Sequence, residues 1–505
     1  MNAALRETFA EEAQVTRRTL LGQVASMSSA GYARGSSPRN IMDRPNILFI
    51  MSDDHAAHAI SAYGSRINHT PNIDRLATEG MRLDNCHCTN SICTPSRATI
   101  LTGQYGHRNG VYTLADKLDG AMESQLQKIL KNADYETAMI GKWHLGHGDN
   151  HDPAGFDYWN VLPGQGLYYD PEMIELGSKK ICFGYVTDII TEQCIKWLEQ
   201  RDRDKPFMLM CHHKAPHRPW EPSKQYANLF EDTKIPEPET LYDDYSNRSN
   251  AAAAAAMRVN RDLTPTDVKQ DPPEECNGDD LTAWMYQRYI KDYLRCVQSV
   301  DDSVGTLLDF LESEGILDET IIIYTSDQGF FLGDHGWYDK RFIYEESIRM
   351  PFFIRYPDEI PPGATSDRIV INNDFAPTLL DYAGLEVPDA MQGVSARAVM
   401  RGESPSDWRK SFYYRYWMHT AHHNVYAHYG IRTHKHKLIY FYSDGLGLDG
   451  TGDEPKMPEW ELFDLELDPL ELHNVYTRPE YQDTVHDLTA QLEQLQSSYG
   501  DESLH

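Results

Sequence analysis

Two apolar runs that end in acid constrain this chain more than any other feature. Asn46-Ile-Leu-Phe-Ile-Met-Ser52 leads into Asp53-Asp54, and Thr320-Ile-Ile-Ile-Tyr-Thr-Ser326 leads into Asp327-Gln328-Gly329. Short, unbroken apolar runs suit strands covered on both faces, as in a parallel sheet flanked by helices. In an open α/β sheet, ligands bind at the carboxyl ends of the strands. Both runs therefore deliver oxygen ligands and a tight turn to one sheet edge. One Asp-Asp pair reads equally well as an exposed acidic turn; a second acidic strand end favours a site for a hard divalent cation.

Basic side chains follow other apolar segments. Thr137 to Ile140 precedes Gly141-Lys142-Trp143-His144-Leu145-Gly146, an extended segment expected to project Lys142 and His144 from one face. Phe207 to Lys214 is a third strand-like run, leading to Ala215-Pro216-His217-Arg218-Pro219, and Gly336-Trp-Tyr-Asp-Lys340 follows the second acidic strand. Cys93 alone would be a small buried hydrophobe. Its neighbours alter that reading: Pro95 forbids a regular strand and favours an extended Thr94, placing Cys93 at a break before Ser96 to Leu101. A helix starting there sets its first amides and Arg97 beside position 93, where both favour an anion.

The run CTPSRATILTG, Cys93 to Gly103, resembles the signature of the type I sulfatases of the alkaline phosphatase superfamily. In that family a separate formylglycine-generating enzyme oxidises the cysteine of a C-x-P-x-R core to Cα-formylglycine. The resemblance, which covers nearly the whole chain from residue 45, implies one calcium ion held by Asp53, Asp54, Asp327, Gln328 and the modified Cys93. Gln328 departs from the commoner asparagine but offers an equally hard amide oxygen. The GKWHLG element, the A-P-H-x-P histidine and the downstream lysine imply that Lys142, His144, His217 and Lys340 hold and protonate a sulfate ester, with Arg97 helping to neutralise its charge. Lys214, His213 and Arg218 fall to substrate binding or to the rim.

The implied chemistry is attack on sulfur by one hydroxyl of the hydrated aldehyde. His217 or Lys340 then protonates the departing alcohol, and His144 withdraws the second hydroxyl's proton so that sulfate is expelled. An unmodified thiol has no second hydroxyl. The Ser-Asp-Gln-Gly motif, Asp339-Lys340-Arg341 and Gly430-Ile431-Arg432-Thr433 most resemble bacterial sulfatases of sulfated carbohydrates, including N-acetylglucosamine-6-sulfatase and mucin- or ulvan-desulfating relatives. An arylsulfatase of small substrates, or a phosphonate monoester or phosphodiester hydrolase on the same fold, is the alternative. A two-zinc phosphatase would need more histidines at the strand ends, where Asp334-His335 is the nearest candidate.

The expected fold class is α/β: an alkaline-phosphatase-like, doubly wound mixed sheet flanked by helices, with a smaller C-terminal subdomain of antiparallel sheet plus helix. Residues 45–408 form the catalytic domain, with a helix over Tyr289 to Glu314 and a proline- and acid-rich insertion over the site at about 223–280, in which Ala251 to Ala256 suits a short helix. Residues 409–505 carry strands at Phe412 to Trp417, Lys437 to Tyr442 and Trp460 to Asp468, then a helix from Glu480 to Ser498. This region also holds His419, His422, His423, His428, His434 and His436, of which His423 and His428 are the candidate sugar-binding donors, surface histidines being the alternative.

A formal net charge of −30 over 505 residues argues against nucleic acid as a partner. No run reaches membrane-span length. Within the leader of residues 1–44, Val15-Thr16-Arg17-Arg18-Thr19-Leu20-Leu21-Gly22 resembles a twin-arginine export signal, although Gln23 to Ser29 is barely apolar. Periplasmic or secreted placement follows from that reading. Cytoplasmic placement is the alternative, because setting Cys93 aside from eight cysteines leaves seven and no disulfide framework. The sequence leaves oligomeric state open.

Overall fold

The computed structural model describes residues 44–501; the leader, with Val15 to Gly22, lies outside them. A ten-stranded mixed sheet forms the body. At its centre the Asn46–Ser52 strand pairs in parallel with Thr320–Ser326 on one side and Phe207–His212 on the other. Phe207–His212 in turn pairs in parallel with Glu136–Lys142. Ile47 to Met51 and Ile321 to Tyr324 are inaccessible to solvent or nearly so, as two-sided burial of the apolar runs requires.

Register decides what these strands deliver. Ser52 lies opposite Ser326, Met51 opposite His212, and Gly141 opposite His212. Asp53, Asp327, Lys142 and the segment leading to His217 therefore leave the sheet at one edge. The approach at Gly141 is close enough that a Cβ there would lie 1.9 Å from the His212 carbonyl oxygen. Glycine before Lys142 is thus a packing requirement.

The helix bearing Cys93 runs Cys93–Thr102, and all ten residues are buried. It begins at Cys93 itself and not after a break, because Pro95 falls in the first turn, where a missing N–H costs nothing. The long helix spans Gly278–Ser313, eleven residues further toward the N-terminus than its apolar pattern indicates. It braces both acidic loops: Tyr293 Oη donates to the Asp54 carbonyl at 2.8 Å and accepts from Ala56 N–H at 2.8 Å, while Tyr289 Oη donates to the Phe331 carbonyl at 2.9 Å.

Residues 223–277 hold short helices, Asn250–Ala254 and Pro265–Val268. Ala251, Ala252, Ala255 and Met257 are fully buried while Ala253 is exposed, so one side of the alanine run packs inside the protein. The C-terminal region is a four-stranded antiparallel sheet of Ser411–Tyr416, His428–Thr433, His436–Phe441 and Glu459–Asp464, against which the Gln482–Tyr499 helix packs. The His428–Thr433 strand escapes the sequence pattern because its buried face includes histidine, glycine and arginine. No helix of the described residues is long and apolar enough to cross a membrane.

Candidate active site

The strand ends assemble a fully buried carboxylate cluster. Asp53, Asp54, Asp327 and Gln328 are all at 0% exposure. Asp327 N–H donates to the Ser52 carbonyl at 3.2 Å and Asp54 N–H to Asp327 Oδ1 at 3.2 Å, stitching the two loops together. Gln328 Nε2 donates to Asp54 Oδ1 at 2.5 Å. Asp53, Asp54 and His217 bring ligand atoms within 4.8 Å of one another.

Cations surround this cluster. Lys340 Nζ donates to Asp54 Oδ1 and Oδ2 at 2.6 and 2.8 Å. Lys142 Nζ donates to Asp53 Oδ2, and to Gln165 Oε1 at 2.5 Å. Burial pushes the Asp54 carboxyl up to about 7 despite Lys340, with Asp53 and Asp327 adding to the rise. Burial acts on Asp53 in the same sense, but Lys142, His217, Arg97 and Lys340 together override it and hold the group well below the carboxylate range. Burial would lower Lys340; the Asp54 and Asp339 carboxylates outweigh it and raise the ammonium.

Cys93 is 1% exposed, and the charges acting on its thiol are those of Lys142, Lys340, Asp53 and Asp327. Desolvation dominates and raises the thiol, which disfavours the thiolate of the encoded side chain. Arg97 lies close enough to Cys93 for their charges to interact, and its guanidinium is turned to the carboxylates. Its Nε donates to Asp327 Oδ2 at 3.0 Å and its Nη1 to the Lys142 carbonyl at 2.7 Å. At 2% exposure it ties the Asp327 carboxylate to the Lys142 strand end.

His144 departs from expectation. The strand ends at Lys142, and His144 adopts φ 57°, so the two side chains do not share a face of one extended segment. Thr94 compensates. Its hydroxyl donates to the His144 carbonyl at 3.1 Å, so Thr94 Oγ1 accepts from His144 Nδ1–H at 3.3 Å and leaves Nε2 as the basic nitrogen. His217 is fixed similarly: Nδ1–H donates to the Arg218 carbonyl at 2.7 Å, and Nε2 faces Asp54 Oδ2 at 3.8 Å. Burial first, then the Lys142 field, depresses both imidazoles well below their ordinary value, so both rest neutral.

The expected substrate-binding residues divide. Lys214 is 1% exposed, lies 4.8 Å from the Tyr168 ring centroid and is lowered by burial to about 8. Arg218 is clamped by both oxygens of the buried Asp267, through Nε at 3.0 Å and through Nη2. His423 stays at the site's edge, with Nδ1 donating to the Ala256 carbonyl at 2.8 Å and Nε2 3.3 Å from Asp339 Oδ2. His428 does not belong there. It is fully buried, its Nδ1–H donates to the Tyr426 carbonyl at 2.8 Å, and its Nε2 accepts from Ile343 N–H at 3.2 Å. With both nitrogens satisfied among Phe342, Tyr414 and Phe441, it is a core residue and not a sugar donor.

Left-handed backbone at Asp54, His144, Asp339 and Arg341, with φ of 67°, 57°, 79° and 96°, concentrates non-glycine strain around the cluster. Thr94, Gln165 and Asp339 are the members that residue patterns did not single out for these contacts. His335, the second-metal candidate, is buried against Asp243 Oδ2 at 3.1 Å.

This arrangement of strand-end acids, a buried cysteine at a helix start and flanking lysines is matched by sequence models. Residues 45–385 match the sulfatase family model, and residues 333–498 match the model of the N-sulphoglucosamine sulphohydrolase C-terminal region. The chain belongs to the sulfatase family. It is an enzyme that hydrolyses sulfate esters. The sulfatase is 44% identical to N-acetylglucosamine-6-O-sulfatase of Bacteroides thetaiotaomicron, over 96% of this chain and 91% of the relative. It is 27% identical to the arylsulfatase of Clostridium perfringens, over 88% and 92%. A solved complex of an enzyme with its substrate D-glucosamine-2-N,6-O-disulfate superposes with a TM-score of 0.85 at 44% identity, covering 91% of the sulfatase and 99% of that chain. A phosphonate monoester hydrolase of Agrobacterium radiobacter shares the fold, with a TM-score of 0.71 at 21% identity over 90% and 96%.

Proposed function

We propose that this sulfatase removes a sulfate ester from a carbohydrate, with 6-O-sulfated N-acetylglucosamine as the preferred unit. The convergence of Asp53, Asp54, Asp327, Gln328, Cys93, Lys142 and Lys340 on one buried strand-end cluster carries the reaction class. The 44% identity over nearly the whole chain supports the sugar.

The cluster fits a calcium ion. Asp53 Oδ1 and Gln328 Oε1 are buried oxygens without a hydrogen-bond donor, and all the first-choice donors are hard oxygens. Asp53, Asp54, Asp327 and Gln328 would hold it. The bound ion would supply charge neutralisation, and Cys93, once converted by a formylglycine-generating enzyme, would supply as its hydrate the oxygen that attacks sulfur and a second hydroxyl that lets sulfate leave.

The other side chains have separate tasks. Lys142 and Lys340 offset the charge of the ester, which grows most costly in a site that excludes water. Gln165 holds Lys142 Nζ from the side opposite Asp53. Lys340, whose ammonium the Asp54 and Asp339 carboxylates hold protonated, gives the proton to the departing sugar oxygen, and His217, neutral with its proton on Nδ1, keeps Nε2 turned to the site. His144 draws a proton from position 93 through Nε2. Asp339, Arg341 and His423 form the rim facing the sugar, with the buried Lys214 and the partly exposed Arg218 as supports. We read the leader as a twin-arginine-like export signal toward the periplasm or the medium.

Sulfate release by the purified, matured enzyme from N-acetylglucosamine 6-sulfate, followed by ion chromatography, tests the reading. Release from the sugar ester with none from a matched phosphate ester or methylphosphonate monoester is the expected result. Turnover of the phosphonate alone would replace the sulfatase chemistry with the alternative. Cleavage of aryl sulfates alone would remove the sugar assignment.

A further inference from the structure

A second group of charged side chains lines a 510 Å³ cavity between the α/β body and the C-terminal sheet, within the size range of ligand pockets. Three of its four acids are accounted for. Asp84 pairs with Arg82 at 2.7 Å, Asp334 faces His58 at 3.2 Å, and Glu345 takes Arg432 at 3.1 Å and Lys437 at 2.9 Å. Glu346 is raised, first by burial and then by Asp334 and Glu471, and its Oε2 is buried without a hydrogen-bond partner among the described residues. Its two arginines are only partly accounted for, although the Arg349 guanidinium lies 5.4 Å from the Tyr63 ring centroid. Among the described residues no carboxylate lies in ion-pair reach of Arg349, whose Nε is buried without an acceptor. Arg432 is 6% exposed, spends Nε and Nη2 on Glu345, and leaves Nη1 unpartnered. A buried guanidinium N–H without an acceptor is costly, so these orphaned donors mark missing acceptor oxygens.

We propose that this cavity is a second anion site, in which Arg349 and Arg432 hold a sulfate-like oxyanion, free or carried on a saccharide. A planar guanidinium edge matches the paired oxygens of such a group better than any neutral donor does. The volume left beside the anion, bordered by Asp84, Asn85 and Asp334, offers acceptors for hydroxyl groups. The site stands apart from the strand-end cluster and does not depend on which sugar is cleaved there.

Thermal unfolding in sodium sulfate, against sodium chloride at equal ionic strength, tests the site in wild type and Arg349→Gln. Sulfate raises Tm roughly linearly by exclusion from the surface, whereas a site adds a saturable rise. The expected result is that Arg349→Gln loses part of the saturable rise while its turnover and its inhibition by sulfate at the active site stay within about twofold of wild type. Equal saturable rises in the two proteins would overturn the proposal. In a Cys93→Ala background, glucosamine 6-sulfate giving a larger Arg349-dependent rise than sulfate assigns the carried anion, and the reverse assigns the free one. Should Arg349→Gln not fold, wild-type crystals soaked in selenate decide: an anomalous peak between the two guanidinium groups supports the site, and an empty cavity overturns it.

Discussion

The strand-end cluster and the C-terminal sheet both carry histidines, yet they use them in opposite ways. His144 and His217 each commit one ring nitrogen, to Thr94 Oγ1 and to the Arg218 carbonyl, and keep the other facing the site. His428 commits both, to Tyr426 and Ile343, inside a cage of aromatic rings. All three rest neutral for the same reason, burial, so depressed basicity does not separate a functional histidine from a structural one. An uncommitted nitrogen turned to the strand-end cluster does.

The contrast can be broken by removing one member at a time. Cys93→Ala, replacing the buried helix-start residue with a smaller one, should fold and lose sulfate release by roughly 10⁴-fold or more, measured as turnover of a sulfated sugar. Retained release would remove position 93 from the chemistry. Lys340→Ala strips the counter-charge from Asp54 and should lower kcat by about 10²- to 10³-fold. It should also cost roughly 3 kcal/mol of stability by urea titration, because a buried carboxylate loses its partner.

Thr94→Val deletes the hydroxyl that sets the His144 tautomer and should cost about 10-fold in kcat with little change in KM. Thr94→Ser should restore most of it and the shape of the pH profile, a rescue that a packing role alone would not give. His428→Phe should leave kcat/KM within about twofold, while the Ile343 N–H loses its acceptor at a cost of about 1–3 kcal/mol.

The pH dependence of stability sharpens the last case. Burial lowers His428 to about 4 in the folded protein. The unfolded chain takes up a proton near the ordinary histidine value of about 6.5, so the stabilisation is present above that pH and is lost as pH falls toward 4. The loss amounts to about 3 kcal/mol at one residue. His428→Phe should remove this part of the acid slope in denaturant midpoints measured from pH 7 to pH 4, and an unchanged slope would show that His428 is already protonated when folded.

Much of the α/β body was legible because its signals are local. An apolar run followed by acids reports a strand, its burial and its loop in one stretch of chain, as at Ser52-Asp53-Asp54 and Ser326-Asp327-Gln328. Contacts across long sequence separations were not legible. Gln165 meets Lys142 across 23 positions, and Asp267 meets Arg218 across 49. Neither contact leaves a periodic trace, since a polar residue in a loop reads the same whether it faces solvent or a buried lysine. The His428–Thr433 strand was missed for a related reason: its polar residues are neutralised by partners elsewhere in the fold, including Glu345 for Arg432.

By itself the sequence determined the strand ends, the acids they carry and the sulfatase motif around Cys93, because each is written in adjacent residues. Only the tertiary structure decided the direction of each polar side chain. It turned Arg97 toward Asp327, bent the chain so that His144 leans on Thr94, sealed His428 in the core and, among the described residues, left Arg349 without a carboxylate. The physical reason is that a charged or hydrogen-bonding group is defined by its partners, and in a buried site those partners arrive from other strands and helices.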